Sequence, residues 1–358
     1  MKPAAHRVGW ALLASSVLLL GSGCAPTVGS DDWTLEPITW ESSSFGDIDV
    51  AFAMSIVTPD GEGGFWSGSA GSWLHVGADG DTLAQFTIDA DHPLRGVDHT
   101  AALSPTTLLV TRGTEGPYAA SDLSIVEMDT REFTDVPVKP LAQAGSDPLG
   151  TESDDFMFGD VAVRDDHAYV VRYQPKSPPG YLDADILRID LDTGERELMS
   201  SEALTLEDST QTAPEVPPVD IDLDGDGRIY LATPSYRIVL DADGAELSRT
   251  ARTATRPVVA AGPNGQVLWW GGAEAPSHTT VVTVGGSGEA RELIEQRTTC
   301  AELLRADALR ITSDSTDDPL PFLCSPNAAA WTGDSWIVAI GGEGDGVLVR
   351  LTPPTNFG

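Results

Sequence analysis

Positive charge is what this sequence has least of. Of 358 residues only 21 are Lys or Arg, against 55 Asp or Glu, a formal net charge of -34. Lysine occurs just at Lys2, Lys139 and Lys176. So negative a surface repels nucleic acid and anionic lipid headgroups, which excludes a nucleic-acid partner. The acids run along the whole chain and mark no single patch. Three cysteines with no CxxC spacing exclude a structural zinc site. No stretch reaches the roughly 20 apolar residues of a spanning helix, so a mature chain without a transmembrane helix is expected. Two catalytic motifs are also missing. The segment FWSGSAGSW around Ser69 lacks the first glycine of a nucleophile elbow. GGEGDG, at 341–346, reads as a hairpin loop with no helix after it, so it is no phosphate cradle.

What is present begins with a leader. Lys2 and Arg7 precede an apolar run from Val8 to Leu20, and Gly21, Ser22 and Gly23 lead into Cys24. This is the order of a secretory signal peptide, assigned to residues 1–23, with a tether over 24–32. The lone cysteine after the run resembles the lipobox of bacterial lipoproteins, although Gly21 stands where that pattern has Leu. The resemblance implies diacylation of Cys24 and export to the outer side of the cell membrane, held there by lipid alone. The same residues fit a secreted protein cleaved nearby. Removing 1–23 takes away two bases and no acid, leaving a net charge of -36. Cys300 and Cys324 then remain as an even number in an oxidising compartment, and pairing them closes a loop of 24 positions. Such a loop contributes about 3 kcal/mol in the chain-entropy model.

The body of the chain, 33–358, carries one repeat. Its clearest copy is Val219–Thr250, where VDIDLD, GRIYLAT, YRIVLDAD and AELSRT follow as four short β-rich runs separated by turn residues. Four strands with tight turns make a propeller blade. Further copies start at Asp47, Asp98, Asp160, Val258 and Asn327. The expected fold is therefore all-β: a six-bladed β-propeller of four-stranded antiparallel blades. The last copy stops after three strands, because Pro353 and Pro354 cannot donate to a ladder. WTLEPITW, at 33–40, belongs to no hairpin and is expected to supply the missing strand and close the ring. An insertion over about 297–326, enclosed by Cys300 and Cys324, carries AELLRADALR, read as a short helix capping one face.

This apolar-strand, Asp/Gly-turn, apolar-strand pattern resembles the six-bladed propellers of the NHL, TolB-like and gluconolactonase-like group. The resemblance spans roughly 33–354 and rests on architecture, so it implies a fold and several possible functions: lactone hydrolases, scaffolds, and peptide or glycan binders.

Candidate sites follow from the repeat. Asp47, Asp98, Asp160, Asp220 and Asn327 stand at the entry to the innermost strand in five of the six copies, near one mouth of the central channel. Such a ring suits a divalent cation such as calcium, and in the lactonase-like members it implies a catalytic metal. A residue repeated in every blade equally fits a structural role at a turn. Asp222, Asp224, Asp226 and Gly227 spell DxDxDG, the opening of a calcium loop, but its twelfth position is Thr233 and not a bidentate acid. His99, beside Asp98, is the best candidate base. His75, His92, His167 and His278 fall on outer strands or loops. Trp270 or Trp331, where either reaches a face, suits stacking on a sugar or peptide.

The expectation that results is a monomeric, non-enzymatic cell-envelope lipoprotein that offers a propeller face to a protein or glycan partner and requires no cofactor. The alternative is a metal-dependent hydrolase of the lactonase type, built on the carboxylate ring with calcium. A quinone-dependent dehydrogenase is disfavoured by the shortage of arginine near the channel positions.

Overall fold

The computed structural model describes residues 34–38, 56–69, 71–113, 121–139, 157–176, 180–199, 219–233, 236–251, 258–270, 279–280, 282–285, 298–299, 326–342 and 345–352. The leader and the tether, with Cys24, lie outside them, as do Asp47, Cys300, Cys324 and the segment read as a capping helix. No helix among the described residues is long and apolar enough to cross a membrane.

Strands account for almost all of the regular structure. β1 (Thr34–Ile38) is followed by a first blade of β2 (Ile56–Pro59), β3 (Phe65–Gly68), β4 (Ser72–Val76) and β5 (Thr82–Thr87). The second blade holds β6 (Val97–Ser104), β7 (Thr107–Gly113), β8 (Ser121–Glu127) and β9 (Glu132–Asp135). The third holds β10 (Met157–Arg164), β11 (His167–Lys176), β12 (Gly180–Asp190) and β13 (Arg196–Leu198). The fourth holds β14 (Asp220–Leu223), β15 (Ile229–Ala232), β16 (Tyr236–Leu240) and β17 (Glu246–Ala251). β18 (Val258–Ala261), β19 (Val267–Trp270) and β21 (Val282–Gly285) form a three-stranded sheet, and β20 (Thr279–Thr280) pairs with β22 (Thr298–Thr299). The last blade is β23 (Pro326–Trp331), β24 (Trp336–Gly342) and β25 (Asp345–Thr352), with β1 antiparallel to β25 and Thr34 opposite Thr352.

The structure is thus a propeller with five complete four-stranded blades among the described residues, where six were expected. The shortfall is at the fifth copy of the repeat. This is the copy that starts at Val258, and its residues 286–297 lie outside the described residues.

The middle strands read as unbroken apolar runs because both of their faces are buried. On β7, Leu108 and Val110 pack toward the first blade while Leu109 packs toward the third. On β11, Ala168 and Val170 face the second blade, and Tyr169 and Val171 face the fourth. Period-two alternation therefore separates two hydrophobic layers, each shared with a neighbour. Trp66 and Trp336 are two of the three tryptophans that head the buried side chains by size. Each is buried, and each satisfies its indole N–H on a backbone oxygen across a blade boundary, Trp66 on Pro105 at 2.8 Å and Trp336 on Ala260 at 3.1 Å. The backbone approaches Trp336 so closely that a Cβ at Gly262 would lie 2.6 Å from its Cζ2.

The turns that follow the inner strands and the third strands lie at one end of the blades. Asp60 N bonds Gly64 O, Asp224 N bonds Arg228 O and Thr332 N bonds Ser335 O after the inner strands; Gly194 N bonds Asp190 O and Asp241 N bonds Ala245 O after the third strands. The opposite end carries the starts of the inner strands, with Asp98, Asp160 and Asp220, and is called the mouth below.

One feature of the third blade had no sequence forecast. Arg172 on β11 and Asp185 on β12 are paired across the ladder and fully buried, with Arg172 Nε donating to Asp185 Oδ1 at 2.8 Å and Nη2 donating to Oδ2. A buried pair of this kind is stable only while both partners are there. Arg172→Leu alone is expected to lower stability by about 3–5 kcal/mol, and adding Asp185→Leu to restore most of it, as read by urea unfolding.

Candidate functional site

An inner strand has a partner on one side only, so its other edge leaves backbone N–H groups facing the channel without a ladder. Buried N–H groups need acceptors. On β14, period-two alternation sends Ile221 into the apolar layer with the third blade and turns Asp220 and Asp222 toward β18. There Val259 N–H donates to Asp220 Oδ2 at 2.6 Å and Ala261 N–H to Asp222 Oδ2 at 2.8 Å. One blade earlier, Ile221 N–H donates to Asp160 Oδ2 at 2.8 Å. The carboxyl groups thus act as acceptors for the free edge of the following sheet. Between the first and second blades the contact is different, the Thr58 and Thr100 hydroxyls bonding to each other.

These inner strands enclose a channel cavity of about 370 Å³. Asp98, His99, Asp160, Asp220, Asp222 and Asn327 all line it, so every described member of the expected ring, and the expected base, reaches one cavity. Trp331 lines it as well, half-buried and edge-on to Trp336 with ring centroids 4.5 Å apart. The side chain of Trp270 lies outside the described residues. His75 is placed elsewhere, in the first blade, where its Nε2 meets Asp60 Oδ2 at 3.0 Å and its ring stacks on Trp66.

The cavity's charges interact. His99 Nδ1 lies 3.2 Å from Asp160 Oδ1. Burial draws the His99 imidazole down, but the hydrogen bond and charge of Asp160, with Asp98 behind it, outweigh this and raise it above its ordinary value. Burial lifts Asp160, yet the bond and charge of His99, helped by Asp220 and Ile221, bring it below the usual carboxylate range. Asp220 is pushed well up by burial, by the charge of Asp160 and by their mutual hydrogen bond. Asp222 is pushed up to about 7, chiefly by burial.

A cation such as calcium needs oxygens that are ionised and free to converge. Here Asp160 and Asp222 each have both oxygens engaged by donors of the protein. Among the described residues no three His, Cys, Asp or Glu are placed to hold a metal ion. Asp160 and Asp222 are taken up by the fold in this way, which does not suit those two to a lactonase-type metal.

The DxDxDG segment divides between two jobs. Asp222 belongs to the channel. Asp224 is buried in the turn, where Oδ1 accepts Asp226 N–H and Arg228 N–H at 2.9 Å each and Oδ2 accepts the Tyr230 hydroxyl at 2.9 Å and Arg228 Nη1 at 3.3 Å. Asp226 is exposed and pairs with Arg228 at 3.7 Å. Asp60 does the same in the first blade, accepting Glu62 N–H and Gly64 N–H at 2.8 Å each. The motif is one copy of a turn device. The contribution of Asp222 to the channel was missed, although its signal was present: it stands two residues from Asp220 and so shares its face.

No protein-family model matches the chain, and no curated protein does. Solved structures give similarities at low identity. A protein assigned as a gluconolactonase is 10% identical with a TM-score of 0.49, over 90% of this chain and 93% of that one. The extracellular domain of a protein assigned as a hybrid two-component system of B. thetaiotaomicron is 11% identical with a TM-score of 0.42, over 89% of this chain and 39% of that one. A one-component counterpart from the same organism is 13% identical with a TM-score of 0.39, over 81% of this chain and 31% of that one. The chain spans less than half the length of those two extracellular chains. Likeness at this level transfers no residue's role.

Asp222→Ala is expected to cost about 1–3 kcal/mol, because it orphans the Ala261 N–H. Asp222→Asn, whose amide oxygen still accepts, is expected to cost clearly less in the same urea titration.

Proposed function

We propose that this chain is an exported binding propeller of the cell envelope, anchored by a lipid on Cys24, which offers its mouth end to a protein or glycan partner and catalyses no reaction. In this reading the three-stranded sheet is the sixth blade of a ring that the N-terminal strand completes, Cys300 and Cys324 are bridged, and the protein works as a monomer. The observation that carries it is the use made of Asp160, Asp220 and Asp222, whose oxygens accept backbone N–H groups of the next sheet. Groups committed to holding blades together are poorly placed to activate water. Trp331 supports the binding side of the reading, since an aromatic face in a polar cavity with Asn327 and His99 is a surface on which a sugar ring or a peptide side chain packs.

The soluble form, with Cys24→Ala, is the material for the test. Expected are a metal content well below one per chain, the same Tm in calcium and in chelator, and tryptophan-fluorescence titration with cell-wall oligosaccharides and peptides that saturates for the parent and is lost in Trp331→Ala. A stoichiometric metal whose removal lowers Tm, together with lactone hydrolysis abolished by Asp98→Asn, would overturn the reading in favour of the hydrolase.

A further inference from the structure

We propose that the channel selects an amphipathic amine, whose ammonium group meets oxygen acceptors at the mouth while its apolar body lies against Trp331 at the turn end. Such a ligand presupposes the binding reading above and gives that site its chemistry.

The channel changes character along its length. Toward the mouth, where the inner strands begin, its lining includes Asp98, His99, Asp160, Asp220 and Asn327. Where those strands finish, the lining is Pro59, Ala102, Val163, Leu223, Ala261 and Trp331. Pro59, Leu223, Ala261 and Trp331 are the last residues of their strands, and Ala102 and Val163 stand within two positions of the end. Every one is apolar. Ala102, Val163, Leu223 and Trp331 pack on the layers between blades with one side and stay half-buried, so the rest of each side chain is left to the channel. A concave apolar surface with a few convergent polar groups is the usual form of a small-molecule site.

The polarity of the ligand follows from what the lining offers. Among the described residues no Lys or Arg lines the cavity, so a carboxylate or phosphate would find no counter-charge there. His99 is occupied by Asp160, Nδ1 to Oδ1 at 3.2 Å. Asp98 is exposed at the rim, with the Asn327 side chain and Thr100 lining the same cavity. An ammonium group brings a positive charge and three donors to such oxygens. At the other end the Trp331 ring, held edge-on by Trp336 with centroids 4.5 Å apart, offers an apolar face. From Asp220 to Leu223 the strand advances three residues, a rise of about 10 Å. The amino group and the far end of the apolar body are therefore that far apart. A sugar carries hydroxyls all round its ring and matches only the mouth half of this channel.

The test titrates the whole soluble chain, with Cys24→Ala, by calorimetry against phenylbutylamine, phenylbutanol, phenylbutyrate and diaminobutane. The amine is expected to bind at least about tenfold tighter than the alcohol, which lacks the charge, and the carboxylate to bind weaker than either. Diaminobutane, charged but without an apolar end, is expected to bind at least about tenfold weaker than phenylbutylamine. Added salt should narrow the gap between amine and alcohol. Asp98→Asn should weaken the amine several-fold and leave the alcohol unchanged, whereas Trp331→Ala should weaken both alike. Equal affinity for amine and alcohol, or for phenylbutylamine and diaminobutane, would overturn the proposal, and neither result needs a variant to fold. If none of these compounds binds while the oligosaccharides or peptides of the fluorescence titration still saturate, the amine is ruled out and the binding reading stands. If nothing binds at all, both fall.

Discussion

The structure depends on how a sheet edge is satisfied inside a ring. Each inner strand bonds to its own second strand and leaves alternate N–H groups pointing into the channel, where nothing continues the ladder. The answer is a short acidic side chain from the preceding blade: Asp160 serves Ile221, Asp220 serves Val259 and Asp222 serves Ala261. The apolar layers hold neighbouring blades together without fixing their register, since hydrophobic contact has no direction. The carboxyl-to-amide bonds supply that direction.

The same choice sets the chemistry of the channel. A carboxyl near the axis accepts N–H bonds in either protonation state, so neutralising some of them costs little bonding and relieves their mutual repulsion. Burial pushes Asp222 up to about 7 and pushes Asp220 well above the usual carboxylate range. The cavity thus carries far less charge than its composition suggests.

Much of the fold was legible because blades are local. The Val219–Thr250 copy shows four strands within some thirty residues, and its turns announce themselves through Asp and Gly, so the third, fourth and last copies fall where the pattern placed them. The channel ring was legible for a related reason: position in the repeat fixes position in the ring, and Asp98, Asp160, Asp220 and Asn327 line one cavity. Their partners were not legible. Whether a carboxyl bends back to its own turn, as Asp224 does, or across to the next sheet, as Asp222 does, depends on which neighbour has an open edge, and sequence spacing does not carry that. The DxDxDG run misled for this reason, because adjacent members serve different elements. The Arg172–Asp185 pair was hidden in runs that otherwise read as strand with polar interruptions.

The pairing of β1 with β25 has a consequence for orientation. Thr34 stands opposite Thr352, at the end where the inner strands and the third strands finish, away from the mouth. Asp98, His99 and Asp160 lie at the other end, so the rim of the channel and the point where the first strand begins stand a blade's length apart.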